Sequence, residues 1–265
     1  MSIYKKKFDN VGSIEYKLAS SRTEYEQALN LVYQEYLLRG YILPKYYKSE
    51  LRILPQNALP ETVVFIAVQN KEVVATVTLI PDSPFGLPMD QKYKEESDQL
   101  RENGRKICEV GQLAIKSEIF GQKFFSMFNF NKLSFMFSLF QLVFRYARFE
   151  KLDDLCIVTD PKMLLFKFLP FEEIGGIKHY GYDRITIKRK PAVAKRLDLT
   201  KAHEHGRKRI GLKRMFLDEE IAPELFQHRF IPHAEDFYYF FFQKSGLFKK
   251  MPADQKAYAM ERYHW

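Results

Sequence analysis

Residues 62–82 constrain this chain more than any other stretch. TVVFIAVQN (62–70) and EVVATVTLIPD (72–82) are two β-branched runs separated by a single residue. Runs of Val, Ile and Thr fit a pleated, half-buried surface. With so short a connection the second run must fold straight back on the first. The spacing therefore predicts an antiparallel hairpin turning around Asn70–Lys71. Any fold for this chain must contain a sheet built on that hairpin.

The remaining elements alternate around it. SIEYKLASSR (13–22) alternates like a strand, and residues 23–40 read as a helix, with Thr23 as N-cap, Glu26 at capping-box spacing and Gly40 as the stop. Residues 41–61 are punctuated by Pro44, Pro55 and Pro60 and read as irregular, and SPFGLPMD (83–90) reads as a loop. A polar helix follows over 89–103, then a strand, KICEVGQLAI (106–115). A Phe-rich helix covers about 122–149, a short strand 153–161, a helix 161–176 stopped at Pro170, and an edge-like strand 183–190. From 201 onward the chain is helical in propensity but broken at Gly211, Pro223, Pro232, Gly246 and Pro252. The order predicts an α/β fold: a mixed central sheet flanked by helices over residues 1–200, with a helical C-terminal extension, 201–265, packed on that core.

Composition narrows the classes. The 265 residues are 46% hydrophobic, enough for one substantial core or a core with an appendage. Cys108 and Cys156 fall inside predicted strands and read as small buried hydrophobes in a reducing compartment, not as a disulfide. There is no CxxC or HxxxH spacing, so no metal site is predicted. The N-terminus, MSIYKKKFDN, carries charge without a following apolar region, so no secretory signal is visible and a cytoplasmic location is expected. Residues 124–144 are rich in Phe, but Asn129, Asn131, Lys132 and Gln141 interrupt them, and a spanning helix wants about 20 predominantly apolar residues. A buried helix is expected there, with peripheral membrane contact left open. The net charge of +9 suggests an acidic partner. Nucleic acid is set aside, because no helix-turn-helix, zinc-finger or RNP-like motif accompanies the charge.

The order of elements, with a hairpin before a central strand, resembles the GNAT acyltransferase superfamily, and FKFLPFEEIGG (166–176) is similar to its late helix-to-strand turn. A closer resemblance is to the long-chain N-acyl amino acid synthases, a branch related to the acyl-homoserine-lactone synthases. VYQEYLLRGY (32–41), VATVTLIPDSPFGLPMD (74–90) and KICEVGQLAI (106–115) carry it. The resemblance implies an N-acyltransferase that moves a long-chain acyl group from a thioester to the amine of an amino acid. Acetyl-CoA-using relatives follow the central strand with Q/R-x-x-G-x-G/A, whose backbone N–H groups hold the cofactor pyrophosphate. Here KSEIFGQKFF has one glycine and no such pattern. The resemblance therefore implies the phosphopantetheine arm of an acidic acyl carrier protein as donor, with no cofactor bound by the enzyme itself. Against a lactone synthase, Gln112 stands where that group has the Arg of its Glu-x-x-Arg motif, and its acidic residues around S-adenosylmethionine have no clear match in 42–61. A non-catalytic lipid- or nucleic-acid-binding protein on the same fold is the alternative from another class.

Glu109 is the residue that most needs an explanation, because a carboxylate in an apolar strand requires a partner or a purpose. One reading is the base that deprotonates the acceptor amine, which requires burial to raise its pKa from about 4.3. The other is a structural ion pair with a neighbour such as Arg105. The resemblance implies that backbone N–H groups at Gln112, Leu113 and Ala114 stabilise the oxyanion. Gly111 either admits the pantetheine arm or forms a bulge. Arg39 is either a fork for the acceptor carboxylate or a helix-end cation. Tyr33 and Tyr36 fall near the same face as Arg39 but equally fit a core. Asp82 and Ser83 either reach substrate or shape a turn. Phe124, Phe128, Phe135 and Leu139 would line an acyl pocket or simply fill the core. Lys188, Arg189, Arg207, Lys208 and Arg209 form a basic run suited to a carrier protein or to plain solvation. FYYFFFQKSGLF (237–248) is too aromatic for solvent: it packs on the core, covers the acyl pocket or touches lipid.

Overall fold

The computed structural model describes residues 4–8, 12–120, 130–163, 166, 169–181, 190–208, 213 and 224–264. Its centre is the hairpin, with β3 over Val63–Gln69 and β4 over Glu72–Pro81. Asn70 and Lys71 have φ of 50° and 67°. Positive φ at both central residues is the geometry of a two-residue turn whose twist matches the strands it joins.

A second hairpin extends the sheet outward. β1 (Tyr4–Phe8) pairs with β2 (Gly12–Leu18), and β2 pairs with β3. The sequence does not announce β1, because its Lys5-Lys6-Lys7 run hides the alternation. The same lysines suit an edge, where charge discourages pairing with another chain. α1 (Arg22–Leu38) follows β2, and its N-cap is Ser21, not Thr23. Ser21 and Glu24 have the same spacing as the expected pair, two residues earlier. The Ser21 hydroxyl accepts from the Glu24 N–H, and the Glu24 carboxylate accepts from the Ser20 N–H at 2.9 Å.

β4 is followed by α2 (Asp90–Glu102), β5 (Ile107–Ile115), α3 (Phe130–Phe149) and β6 (Asp154–Thr159). The sheet runs β1-β2-β3-β4-β5-β6-β9, where β9 is Lys190–Asp198; β7 (Glu172–Glu173) and β8 (Lys178–Tyr180) share the outer edge of β9. β5 and β6 are parallel and the other pairs are antiparallel. Two expectations change here. The end of the helix expected over 161–176 is strand β7, because Glu172 and Glu173 lie opposite Arg196 and Lys195, and Lys195 bonds the Glu173 carboxylate at 2.7 Å. The strand expected over 183–190 lies outside the described residues except for Lys190, which opens β9.

One sheet face is covered by α3, whose Phe135, Phe140 and Phe144 are buried with Phe65, Val77 and Val110. The other carries α1 and, at its far end, α2, which lies over Ile80, Ile107 and Cys156. The C-terminal aromatics pack beside α1. Phe240 meets Tyr25 at 5.4 Å and Phe237 stacks on Tyr263 at 4.5 Å between ring centroids. Among the described residues, no helix is long and apolar enough to cross a membrane, and no group of His, Cys, Asp and Glu could hold a metal ion.

Candidate active site

Two irregularities in β5 build the site. The first is a bulge. Thr78 pairs with Gly111 and Thr76 with Ala114, so two steps along β4 answer three along β5. Gln112 absorbs the additional residue with φ of 49°, a conformation that costs a non-glycine residue about 1 kcal/mol. Its side chain is held on both ends. Nε2 donates to the Arg52 carbonyl at 2.8 Å, and Oε1 accepts from Asn57 Nδ2 at 3.3 Å.

The second is a parting of strands. β5 and β6 pair only from Ile107–Asp154 to Glu109–Cys156. Beyond that point β5 continues to Ile115 along β4, while β6 continues to Thr159 along β9. Glu109 occupies the last rung before the strands separate. The segment Gln112–Ala114 lies beyond it, on the stretch of β5 that β6 has left.

Glu109 is 4% exposed. Among the described residues one donor reaches its carboxylate, the backbone N–H of Met89, at 2.6 Å from Oε2. Burial pushes the carboxyl pKa up to about 8; the Met89 N–H opposes that rise and the Asp90 carboxylate adds to it. The structural pairing with Arg105 does not occur. Arg105 instead bonds Asp154 and Asp198 across the other end of the sheet. Gly111 is not the bulge residue, and a Cβ placed on it would meet only the Ile80 Cδ1 at 3.9 Å, an ordinary contact. Packing within the protein does not demand a glycine there.

A family model described as N-acyl amino acid synthase FeeM matches residues 27–198. This chain belongs to the FeeM family. As a FeeM-family protein it is an N-acyltransferase. The structure of FeeM, an N-acyl amino acid synthase from uncultured soil microbes, superposes with a TM-score of 0.58 and 26% identity, covering 72% of this chain and 95% of that one. BjaI, a CoA-dependent acyl-homoserine lactone synthase, gives 0.52 at 12% identity over 88% of this chain and 97% of its own. The lactone synthase LasI gives 0.47 at 18% identity over 83% and 97%. At 12% identity BjaI speaks to the fold alone. No curated protein matches the chain.

The other expected site residues of this FeeM-family chain divide. Arg39 turns back on its own helix: its guanidinium pairs with the Glu35 carboxylate and also bonds the Glu35 carbonyl at 2.7 Å. Glu35 in turn accepts from the N–H and hydroxyl of Ser117, just past β5, at 2.8 and 2.7 Å. Asp82 is held by Arg101, which donates from Nε and Nη2 at 2.8 Å each, and Ser83 shapes a turn, its hydroxyl accepting from the Phe85 N–H and its carbonyl from the Gly86 N–H. Tyr33 is buried against Tyr47 and Tyr36 is buried beside Arg52. Phe135 packs on Phe8 and Tyr16 at 5.7 and 5.5 Å and Leu139 is fully buried, so both are core side chains. Leu113 packs into the α3 side of the core, whereas Ala114 is buried beneath α1.

Phe124, Phe128, Lys188, Arg189 and Arg209 lie outside the described residues, as does the Lys208 side chain. Of the expected basic run, Arg207 is the member whose side chain is described. β9 is antiparallel to β6, so Lys190 stands at the end where β5 and β6 part, and the chain leaves Asp198 at the opposite end before reaching the exposed Arg207. A cavity of about 460 Å³ lined by Arg22, Tyr238 and Tyr239 belongs to the C-terminal segment and contains none of these residues. Sequence reasoning missed Met89 as the partner of Glu109, and it missed Arg52, Asn57 and Arg101. A buried Arg in a proline-punctuated loop leaves no periodic signal, and a backbone donor leaves none at all.

Proposed function

We propose that the protein transfers a long-chain acyl group from an acyl carrier protein thioester to the amine of an amino acid. The observation that carries this reading is the coincidence of a buried, high-pKa carboxylate with the point where two parallel strands part. The gap between β5 and β6 suits an extended pantetheine arm, which would bond the backbone of β5 as a further strand would. The missing side chain at Gly111 leaves room for close approach. Ionised Glu109 takes the proton from the acceptor ammonium, directly or through a water, and the free amine attacks the thioester carbonyl. N–H groups of Gln112–Ala114 meet the oxyanion as charge develops, the C–S bond breaks, and the departing thiolate takes the proton still on the attacking nitrogen, which leaves the amide and a free thiol. The absence of a Q/R-x-x-G-x-G/A pattern after β5 supports a donor without a nucleotide.

The test uses purified protein, a long-chain acyl carrier protein thioester and a mixture of the standard amino acids, with products read by mass spectrometry. An N-acyl amino acid is the expected product. An acyl-homoserine lactone formed from added S-adenosylmethionine, or no new amide, would overturn the proposal.

A further inference from the structure

Arg52 is a guanidinium set deep in the protein, with the residue 5% exposed. It lies in the irregular stretch between α1 and β3, and three contacts fix its place. Its N–H donates to the Leu29 carbonyl at 3.2 Å, and its carbonyl accepts from Gln112 Nε2 at 2.8 Å. Its guanidinium lies over the Tyr36 ring, 5.1 Å from the centroid. Asn57 braces the same stretch, accepting the Leu54 N–H at 2.7 Å while donating to Gln112. The loop is thereby stitched to the β5 bulge, three residues along the strand from Glu109.

Tyr36 joins the two charged groups. Burial raises the pKa of its hydroxyl; Arg52 opposes that and Glu109 adds to it, so both lie within electrostatic reach of one phenol. A held cation and a buried carboxylate on one face of the sheet are the complement of an α-amino acid zwitterion. The cation matches the carboxylate, and the carboxylate matches the ammonium two bonds away. Burial strengthens such a pair, and the planar fork of Arg fits a carboxylate with two parallel bonds. Arg39, on the same helix as Tyr36, pairs with Glu35.

We infer that Arg52 is the receptor for the acceptor's carboxylate, the side chain that distinguishes an α-amino acid from a simple amine at this site. This rests on the acyl-transfer reading above. Gln112 is then a positioning residue: it sets Arg52 in place from the bulge.

The experiment compares wild type, Arg52→Gln and Arg52→Lys, each checked for folding by circular dichroism. The probes are the best-accepted standard amino acid and the amine that lacks only its carboxyl group. Acceptor binding is measured by calorimetry without any donor, and acylation is measured separately. Expected is a loss of amino-acid binding of about 10- to 100-fold in Arg52→Gln, a matching rise in KM, a smaller loss in Arg52→Lys, and little change with the decarboxylated amine. The inference is overturned if wild type binds both acceptors equally, or if the folded variants lose both acceptors alike or neither. If wild type forms no amide with any acceptor, the acyl-transfer reading fails, and the calorimetry still decides whether Arg52 reads a carboxylate.

Discussion

The backbone N–H of Met89 donates to Oε2 of Glu109 at 2.6 Å, and this bond couples the site to a loop that Arg101 holds at both ends. Arg101 bonds Asp82 at the start of the loop and Asp90 at its finish, each at 2.8 Å. Asp90 also accepts from the Leu87 N–H at 2.9 Å and from the Ser97 hydroxyl at 2.6 Å. Glu109 thus has one fixed donor that favours its charge and one fixed carboxylate nearby that disfavours it. Burial is the largest effect and leaves its pKa at about 8. A base poised there is half ionised near pH 8, close enough to the working range for proton transfer from an amine to be effective.

Glu109→Gln should lower the rate of amide formation on the order of 10²- to 10⁴-fold, the usual contribution of a positioned base. The fold should survive, because the amide keeps the shape and still accepts from Met89. Circular dichroism and steady-state kinetics on the purified variant check both halves. Near-normal turnover would remove Glu109 from the chemistry.

The same substitution should reveal a stability difference whose sign follows from the direction of the shift. Glu109 holds its proton up to about pH 8 in the folded protein, against an ordinary value of 4.5. Between those values the unfolded chain has already lost the proton, so stability is full below about 4.5 and declines as pH rises toward 8. The amide of the variant cannot ionise and escapes that decline. Urea melts of the two proteins should agree near pH 5 and separate up to pH 8, the variant becoming more stable by on the order of a few kcal/mol. A gap that stays constant with pH would mean that Glu109 is not buried as described.

Asp90→Asn should shift the ascending limb of the kcat/KM profile to lower pH. The substitution removes the carboxylate that raises the Glu109 pKa, while the amide oxygen can still accept from Leu87. An unmoved limb in a folded variant would show that a group other than Glu109 titrates in it.

Much of this fold can be read from the chain, and the reasons are local. The β3–β4 hairpin is legible because β-branched residues flank a one-residue gap, and Asn70 tolerates positive φ. β5 is legible as an apolar run, with Glu109 conspicuous inside it. β9 is not, because Pro191, Lys195 and Arg196 interrupt its pattern. Those cations are satisfied by β7 and by Asp154, partners distant in sequence. A bulge in β5 is expected, if anywhere, at Gly111, the residue that composition favours. It falls on Gln112 because side-chain bonds to Arg52 and Asn57 hold that neighbour in place. The sequence leaves Asp82 open between substrate and turn, and nothing local points to Arg101, 19 residues on, as the partner of its carboxylate.

Phe135→Ala should destabilise the protein by about 3–5 kcal/mol without changing acyl-chain preference. Phe135 is fully buried between Phe8, Tyr16 and the α3 core, where truncation leaves a cavity. Denaturant melts measure the first effect, and product distributions over a series of acyl lengths measure the second. A selective gain for longer chains would instead place Phe135 on the acyl path.

The last prediction follows from the proposed donor and concerns where an acidic carrier protein would dock. An arm entering between β5 and β6 must do so from the end where they part, beyond Glu109 and Cys156. Thr159 of β6 and the start of β9 lie at that end, with exposed Lys162 just past β6 and Lys190 bonding the Arg39 carbonyl at 2.9 Å. Asp198 closes β9 at its other end, roughly 26 Å from Lys190 at about 3.3 Å per residue, and the chain reaches Arg207 only after it. Lys162→Glu should therefore reduce kcat/KM for the carrier-bound donor several-fold at low salt, with less effect on a short soluble thioester. Arg207→Glu should leave both donors nearly unchanged. Added salt should narrow the Lys162 effect, because charge steering at a surface is screened within about 8–10 Å at physiological ionic strength. Equal defects in the two variants would mean that the carrier contacts both ends of the sheet. A defect in Arg207→Glu alone would place docking at the closed end and contradict entry between the parted strands.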